Sequence, residues 1–346
     1  MAHPPSKNER LSTRRQFLHA AGALTLASTC GRNALAAAAI DGAPAKPAPN
    51  TTPVEPQPAH LQIGILLSTF VRPPLEARLD AAKAAGLVHI QLALDCVAGP
   101  MMPDKIPPDM AARIRRAAAA RGITIASLQG TFNMCHPEAA QREAGLRRLG
   151  VLAGLCQELG VPRIHLCSGT RDRASMWRRH PDNDLPDAWK DLVASMRVAT
   201  DLARQAGVIV AFEPEVNNVV DSALKARRLL DEIGSPHLKV TMDAANLFHT
   251  GELPRMSEIL DQAFALVGKD IVMAHAKDLD RDGDAGHKAA GEGKLDYDRY
   301  LSLLHLHGFR GPLFLHGLSE AQVPKCAAFL REKLARVVAT STRHER

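Results

Sequence analysis

The chain has few cysteines, and their spacing excludes two common kinds of site. Six cysteines occur in 346 residues, and no two of them form a CxxC pair. Five lie beyond residue 40, scattered along the sequence. An odd, scattered set is neither a disulfide framework nor a thiolate metal site. We therefore expect these five cysteines to be small packing residues.

The sequence also lacks a long hydrophobic run and a large excess of charge. The apolar stretch after Arg14 and Arg15 is too short and too weakly hydrophobic to span a membrane. Residues 1–40 hold five basic residues and one acidic residue, so they account for +4 of the formal net charge of +6. The remainder gives no reason to expect nucleic-acid binding. "GEGK" (291–294) is not a phosphate-binding P-loop, because Leu295 follows the lysine where Ser or Thr is required.

The first forty residues resemble a twin-arginine signal peptide. "STRRQFL" (12–18) contains the arginine pair, and "ALAAAA" (34–39) offers small residues for cleavage. Cys30 is a poor lipoprotein site, because the residues before it do not fit one. We expect residues 1–40 to be the signal, the twin-arginine export machinery to be a partner, and the periplasm to be the destination. Residues 41–60 are rich in proline and poor in large apolar side chains, which predicts a linker.

From residue 61 the chain repeats a unit of strand, polar loop and helix. The strand candidates are mostly continuous apolar runs, as expected for parallel strands that are covered on both faces. They lie at 61–68, 88–94, 123–129, 163–169, 208–214, 238–244, 271–277 and 312–318. The helix candidates lie at 75–85, 108–121, 138–159, 186–205, 222–233, 254–267, 297–307 and 321–334. Eight such units predict a single α/β domain, a (β/α)₈ TIM barrel over 61–337 with a polar tail at 338–346. An open, doubly wound sheet is the alternative.

Chemistry in such barrels lies where the strands end, at the C-terminal face. Four successive strand candidates end in Glu213, Asp243, His275 and His316. Carboxylate and imidazole groups at equivalent positions should converge at one side of the barrel mouth. This donor set suits a divalent ion such as Mn²⁺, Mg²⁺, Co²⁺ or Zn²⁺, with open positions for substrate oxygens. Three further polar residues at or after the third and fourth strands are candidates for substrate binding: Asn133, His136 and His165.

Four motifs in this order resemble the sugar phosphate isomerase/epimerase family of the xylose-isomerase-like barrel superfamily. They are "AFEPEVN" on strand 5, "MDAANLF" on strand 6, "HAKD" on strand 7 and "GEGKLDY" after it. The resemblance implies one metal ion held by Glu, Asp, His and Glu from strands 5 to 8. Glu213, Asp243 and His275 match three of these positions. His316 stands where the fourth glutamate is expected, and Glu320 is a weaker substitute.

The resemblance also implies residues that bind substrate. Asn246 matches a substrate-binding position of related enzymes, and Arg281 corresponds loosely to a substrate-contacting arginine. Lys277 could bind a substrate oxygen, with Asp278 orienting it, or the two could form a surface ion pair. Loop 169–185 is a candidate lid, in which Trp177 offers a flat apolar surface to a sugar ring.

These observations favour an exported, metal-dependent sugar isomerase or epimerase. Glu213 would take the proton next to a carbonyl, and His316 and Lys277 complete the catalytic candidates. Because strand 8 lacks the expected glutamate, a lyase or hydrolase that acts on keto-sugars or oxidised glycosides is an alternative. A sugar-binding barrel without catalysis is a further alternative. The identity of the sugar, the metal and the oligomeric state do not follow from the sequence.

Overall fold

The computed structural model describes residues 61–344. The predicted signal peptide and the proline-rich linker lie outside the described residues, and so do the last two residues of the chain. Among the described helices, none is long and apolar enough to cross a membrane.

Eight parallel strands form a closed barrel. They are β1 (Gln62–Leu66), β2 (His89–Leu92), β3 (Thr124–Gln129), β4 (Arg163–Cys167), β5 (Ile209–Glu213), β6 (Leu238–Asp243), β7 (Ile271–Asp278) and β9 (Pro312–Leu315). The ring closes because β9 pairs with both β7 and β1. The two-residue strand β8 (Lys288–Ala289) pairs antiparallel with the end of β7. The TIM barrel prediction is confirmed, and the open doubly wound alternative is wrong.

Each barrel strand is followed by a helix that covers its outer face. The helices are α1 (Leu75–Ala84), α2 (Met110–Ala119), α3 (Ala139–Leu159), α4 (Pro186–Ala206), α5 (Ala223–Ile233), α6 (Met256–Val267), α7 (Tyr297–Leu306) and α8 (Val323–His344). Gly160 and Gly207 end α3 and α4 with φ near 70° and 67°, the left-handed conformation that favours glycine. The last helix continues to His344, past the boundary predicted at 337.

Alternation along the strands decides which side chains enter the barrel. On β5, Val210 and Phe212 pack outward among the helices, whereas Ala211 and Glu213 face inward. A small apolar cluster fills the interior of the barrel: Leu66, Ala126, Ala211, Met273 and Phe314. The inward positions that follow on the same strands, towards their C-terminal ends, are polar. The barrel therefore has a packed interior and a polar mouth.

The five cysteines beyond residue 40 are free and buried. Cys156 lies in α3 and Cys326 lies in α8, among the apolar side chains between the helices and the sheet. This agrees with their predicted role as packing residues.

Candidate metal centre

The four predicted ligands converge at the barrel mouth. Glu213 Oε2 lies 3.4 Å from His275 Nδ1. Asp243 Oδ2 lies 3.9 Å from the same nitrogen and 3.8 Å from His316 Nδ1. β6 and β7 pair Asp243 directly with His275, so strand register sets part of this geometry. Consecutive strand ends therefore bring two carboxylates and two imidazoles into two overlapping groups of donor atoms that share His275.

Three atoms of this cluster are buried and lack a hydrogen-bond partner among the described residues. They are Asp243 Oδ2, His275 Nδ1 and His316 Nδ1. A buried polar atom without a partner costs about 1–3 kcal/mol, so native proteins usually satisfy it. The ligand atoms of Asp243, His275 and His316 lie within 4.8 Å of one another. This donor set fits a divalent cation, which would satisfy all three atoms together.

His165 belongs to the same cluster, although the sequence suggested that it binds substrate. Its Nε2 lies 3.2 Å from Glu213 Oε2, and its Nδ1 lies 3.1 Å from the Thr241 hydroxyl. Burial lowers the pKa of His165, so the ring is neutral near pH 7. A second group of donor atoms within 4.8 Å consists of His165, Glu213 and His275. His165 therefore lies beside Glu213, where it can orient that carboxylate or add a ligand.

His316 directly follows β9 and presents Nδ1 to the cluster. About a third of its side chain is exposed, yet Nδ1 itself is buried. Burial lowers the pKa of His316 from 6.5 to about 4. A neutral imidazole is the form that binds a metal, whereas a general acid would have to be protonated. His316 thus faces Asp243 through Nδ1, and its role as a ligand stays a prediction. Glu320, the weaker alternative, forms an ion pair with Arg72 on the loop after β1.

Lys277 is buried beside the cluster and does not form a surface pair with Asp278. Its Nζ lies 3.3 Å from Asp243 Oδ2, and only 6% of the residue is exposed. Gly286 allows the loop after β7 to approach, because a Cβ there would lie 2.9 Å from Lys277 Cε. Burial alone would lower the pKa of Lys277, but the charges of Asp243 and Glu213 leave it above its usual value. The ammonium therefore stays charged at the barrel mouth.

Asp278 faces away from Lys277, because neighbouring residues on a strand point to opposite sides of the sheet. Its Oδ1 accepts from the backbone N–H groups of Leu279 and Leu295, at 2.8 and 2.9 Å. Its Oδ2 accepts from those of Gly291 and Gly293, both at 3.0 Å. The prediction that Asp278 orients Lys277 is wrong. Asp278 instead holds the loop that contains "GEGK".

Asn246 supports Glu213 directly. Its Nδ2 donates a hydrogen bond to Glu213 Oε1, and its Oδ1 accepts one from Gly286 N at 2.8 Å. Burial alone would raise the pKa of Glu213, but His275 and His165 hold it well below its usual range. Glu213 is therefore ionised, with one oxygen bound to Asn246 and the other directed at the two imidazoles.

The remaining predicted substrate-binding residues lie on loops. Trp177 is 43% exposed, and Arg281 is exposed beside Asp280. His136 is partly buried, and its ring nitrogen lies 3.4 Å from the Arg173 carbonyl oxygen. Asn133 links two loops, because its Oδ1 accepts from the backbone N–H groups of Cys135 and Thr170, at 3.2 and 2.9 Å. Their roles in binding substrate stay predictions.

Two buried residues of the site were not predicted. Gln91 on β2 is 1% exposed, and its Oε1 lies 3.0 Å from His275 Nε2. Glu215, two residues after Glu213, is 4% exposed and has an Oε1 without a partner among the described residues. Burial, aided by the charge of Glu213, raises the pKa of Glu215 to about 8. The sequence did contain a signal for Gln91. It is a polar residue at an inward position of the apolar strand "VHIQLAL" (88–94).

Comparison with solved structures finds the same fold in several sugar epimerases. A D-tagatose 3-epimerase-like protein has 13% identity and a TM-score of 0.67, covering 81% of this chain and 100% of that chain. L-ribulose 3-epimerase has 15% identity and a TM-score of 0.64, and the match covers 83% of this chain and 98% of that chain. The 3-keto-D-glucoside 4-epimerase from E. coli has 18% identity and a TM-score of 0.59, and the match covers 81% of this chain and 99% of that chain. At these identities the likeness concerns the fold.

Comparison with curated protein sequences finds no match. The model of one family, described as xylose isomerase-like TIM barrel, matches residues 79–333. This match spans most of the chain and includes every strand that contributes a ligand candidate. The protein therefore belongs to the xylose isomerase-like TIM barrel family.

Proposed function

We propose that this protein is a divalent-metal-dependent isomerase or epimerase of a sugar or keto-sugar. The observation that carries the proposal is the convergence of three buried donor atoms, from Asp243, His275 and His316, that have no hydrogen-bond partner among the described residues. Family membership supports an enzyme of this kind, and so do structural neighbours that are named as sugar epimerases.

The residues around the cluster fit proton abstraction next to a carbonyl. When bound, the cation would polarise the carbonyl and stabilise negative charge that develops on its oxygen. Glu213 is an ionised carboxylate held in place by Asn246, and it is the candidate for the base that accepts the proton. The Lys277 ammonium stands beside Asp243 and can donate a hydrogen bond to a substrate oxygen. His316, as a neutral ligand in place of a carboxylate, would leave the cation with more net positive charge.

Deuterium exchange tests this proposal directly. Purified protein would be analysed for bound metals and then incubated in D₂O with free sugars and 3-keto sugars in the presence of the metal found. We expect deuterium at the carbon next to the carbonyl, together with an isomer or epimer of the substrate. His275→Ala should abolish both signals. Exchange that persists in this variant, or a wild-type protein without bound divalent metal, would contradict the proposal.

A lyase is the second candidate, and the observation that favours it is His316 at the position of the expected glutamate. Elimination needs one proton abstraction followed by loss of a leaving group, so it does not need a second carboxylate. The same incubations with 3-keto glycosides separate the two reactions, because a lyase releases the aglycone and an epimerase retains it. Sugar binding with neither exchange nor release would identify a non-catalytic barrel.

We also propose that the protein is exported by the twin-arginine route. Its support is the "STRRQFL" motif with the small-residue cleavage region at 36–39. Replacing Arg14 and Arg15 with lysine should retain the uncleaved protein in the cytoplasm, whereas the wild type should begin near residues 36–41 in the periplasm. Unchanged export of the double variant would rule out this route.

A further inference from the structure

The donor atoms of the candidate metal centre are closed off from solvent. Asp243 Oδ2, His275 Nδ1 and His316 Nδ1 are all buried. A substrate oxygen has to reach a cation at this place if the cation is to polarise a carbonyl. Part of the barrel mouth must therefore move before a sugar can bind.

A short segment of the loop after β7, residues 282–286, lies across this part of the mouth, and we call it the β7 lid. Gly286 N donates to Asn246 Oδ1 at 2.8 Å, and Gly283 N donates to the Phe248 carbonyl oxygen at 2.9 Å. Both acceptors belong to the residues that follow β6. The β7 lid thus extends from β7 over the end of β6.

Lys277 lies between the β7 lid and the carboxylate of Asp243. A Cβ at Gly286 would lie 2.9 Å from Lys277 Cε, and a Cβ at Gly317 would lie 3.0 Å from Lys277 Cδ. The stem of the lysine therefore fits between two glycines, one of which belongs to the lid. Its Nζ lies 3.3 Å from Asp243 Oδ2. Movement of the lid would therefore uncover Lys277 and Asp243 together.

The β7 lid is held to its neighbours by hydrogen bonds near the surface. Asn217, in the loop after β5, donates from Nδ2 to Asp284 Oδ1 at 2.7 Å. This bond spans the end of β6, because β6 lies between β5 and β7 in the barrel. Asp284 is exposed, and the Asp282 carboxylate accepts from Leu253 N at 2.9 Å. A segment held by such bonds can open without unfolding the barrel.

Loop 169–185, the candidate lid of the sequence, is fixed by buried groups instead. Asn218 is fully buried, accepts from Gly169 N at 2.7 Å and donates to the Met176 carbonyl oxygen at 3.3 Å. Asn183 is 2% exposed and donates to the backbone of the loop after β5. Detaching a buried polar group leaves it without a partner, which costs more than opening an exposed bond. This loop is therefore suited to be a fixed wall of the mouth.

We infer that the β7 lid opens to admit substrate to the candidate metal centre, and that the hydrogen bond between Asn217 and Asp284 holds it closed. The inference rests on the proposed metal site for its purpose. The opening of the lid is a property of the metal-free protein and can be measured whether or not that proposal holds.

Amide hydrogen exchange of the metal-free protein, followed by mass spectrometry, is the first test. Asn217→Asp keeps the shape of the side chain but places a second carboxylate against Asp284. Exchange in the peptide that contains residues 282–286 should become faster by roughly tenfold or more, because one bond is lost and a repulsion is added. Peptides from loop 169–185 should exchange as in the wild type.

Two further variants control this measurement. The swapped pair, Asn217→Asp with Asp284→Asn, again places an amide donor opposite a carboxylate acceptor, so the exchange of the β7 lid should return to the wild-type rate. Gln141→Glu adds a negative charge on the exposed surface of α3 and should leave the lid unchanged.

The kinetics of Mn²⁺ binding provide the second test. Mn²⁺ uptake and its transfer to a chelator would be followed for the wild type and for Asn217→Ala, which removes the donor without adding a charge. A lid that controls access changes the rates of uptake and release by the same factor, so both should rise while Kd stays at the wild-type value. Loss of a ligand would weaken Kd instead.

Three results would overturn the inference. The first is unchanged exchange of residues 282–286 in Asn217→Asp, or faster exchange that the swapped pair does not reverse. The second is unchanged Mn²⁺ rates in Asn217→Ala, because the segment would then not control access. The third is faster exchange of loop 169–185 than of the β7 lid in the wild type. A wild type with the expected exchange but no affinity for Mn²⁺ would instead contradict the proposed function.

Discussion

The two sides of the barrel mouth differ in charge. The side formed by β5, β6, β7 and the residue after β9 presents Glu213, Asp243, His275, Lys277 and His316. The side formed by β2 and β3 presents two neutral amides. All these side chains occupy inward positions near strand ends, so the fold alone does not explain the difference. The charged side contains the proposed ligands, and the neutral side contacts one of them, His275, through Gln91.

Removing a ligand from the charged side should have the largest effect on turnover. His275→Ala should lose the bound metal and reduce turnover by roughly a thousandfold or more, equivalent to about 4 kcal/mol or more. The fold should persist, because packed layers and outer helices stabilise the barrel. Metal analysis and circular dichroism of the purified variant check both points. His287→Ala, a histidine that pairs with Asp280 in the loop after β7, is the matched control and should retain the metal.

A variant that still carries a stoichiometric amount of metal would show that the centre lies elsewhere. Loss of metal in the His287→Ala control would show instead that the whole loop after β7 is needed for binding.

Packing between the barrel and its outer helices should affect stability and not metal binding. Ile65 on β1 is fully buried among the apolar side chains between strands and helices. Ile65→Ala should lower the free energy of unfolding by about 2–5 kcal/mol. Metal content per folded chain should stay at the wild-type level. Urea denaturation and metal analysis measure the two quantities, and a parallel loss of metal would show that packing outside the barrel also determines metal binding.

His316 is a further test of the charged side of the barrel mouth. It is the one predicted ligand whose residue type departs from the family pattern. His316→Glu adds a negative charge at the ligand position, so affinity for Mn²⁺ should rise by roughly tenfold, about 1.4 kcal/mol. His316→Ala should weaken binding instead. Calorimetric titration of both variants provides the measurement. Wild-type affinity in both variants would mean that His316 is a packed histidine and not a ligand.

Glu215 should give the smallest effect, visible as a pH dependence of stability. Its pKa is raised from 4.5 to about 8, chiefly by burial and then by Glu213. The folded protein therefore holds a proton that the unfolded chain releases, and stability from this group falls as pH rises from 4.5 to about 8. Glu215→Gln cannot ionise, so its unfolding free energy relative to wild type should rise across this window.

Denaturation of metal-free proteins at several pH values measures the difference between variant and wild type. Glu258→Gln, which changes an exposed carboxylate on α6 that pairs with Arg255, is the control and should not show this rise. A pH-independent difference for Glu215→Gln would mean that Glu215 is ionised at neutral pH in the folded protein.

The sequence by itself determined the strands, the helices and four donor residues. Apolar runs followed by helical patterns predicted eight βα units, because covered parallel strands need that pattern. Glu213, Asp243, His275 and His316 could be found because they occupy equivalent positions, and parallel strands bring their ends to one face. These inferences need only local periodicity and strand order.

Only the tertiary structure decided which residues support those ligands. Gln91 and His275 are 184 residues apart, and they meet because β9 closes the ring between β1 and β7. Lys277 pairs with Asp243 and not with its neighbour Asp278, because adjacent strand residues face opposite sides of the sheet. The closed barrel brings His275 to Gln91, and that contact depends on the register of the strands and on which amide oxygen faces the ring. A periodic pattern contains neither, so the support of the site became visible only in the folded barrel.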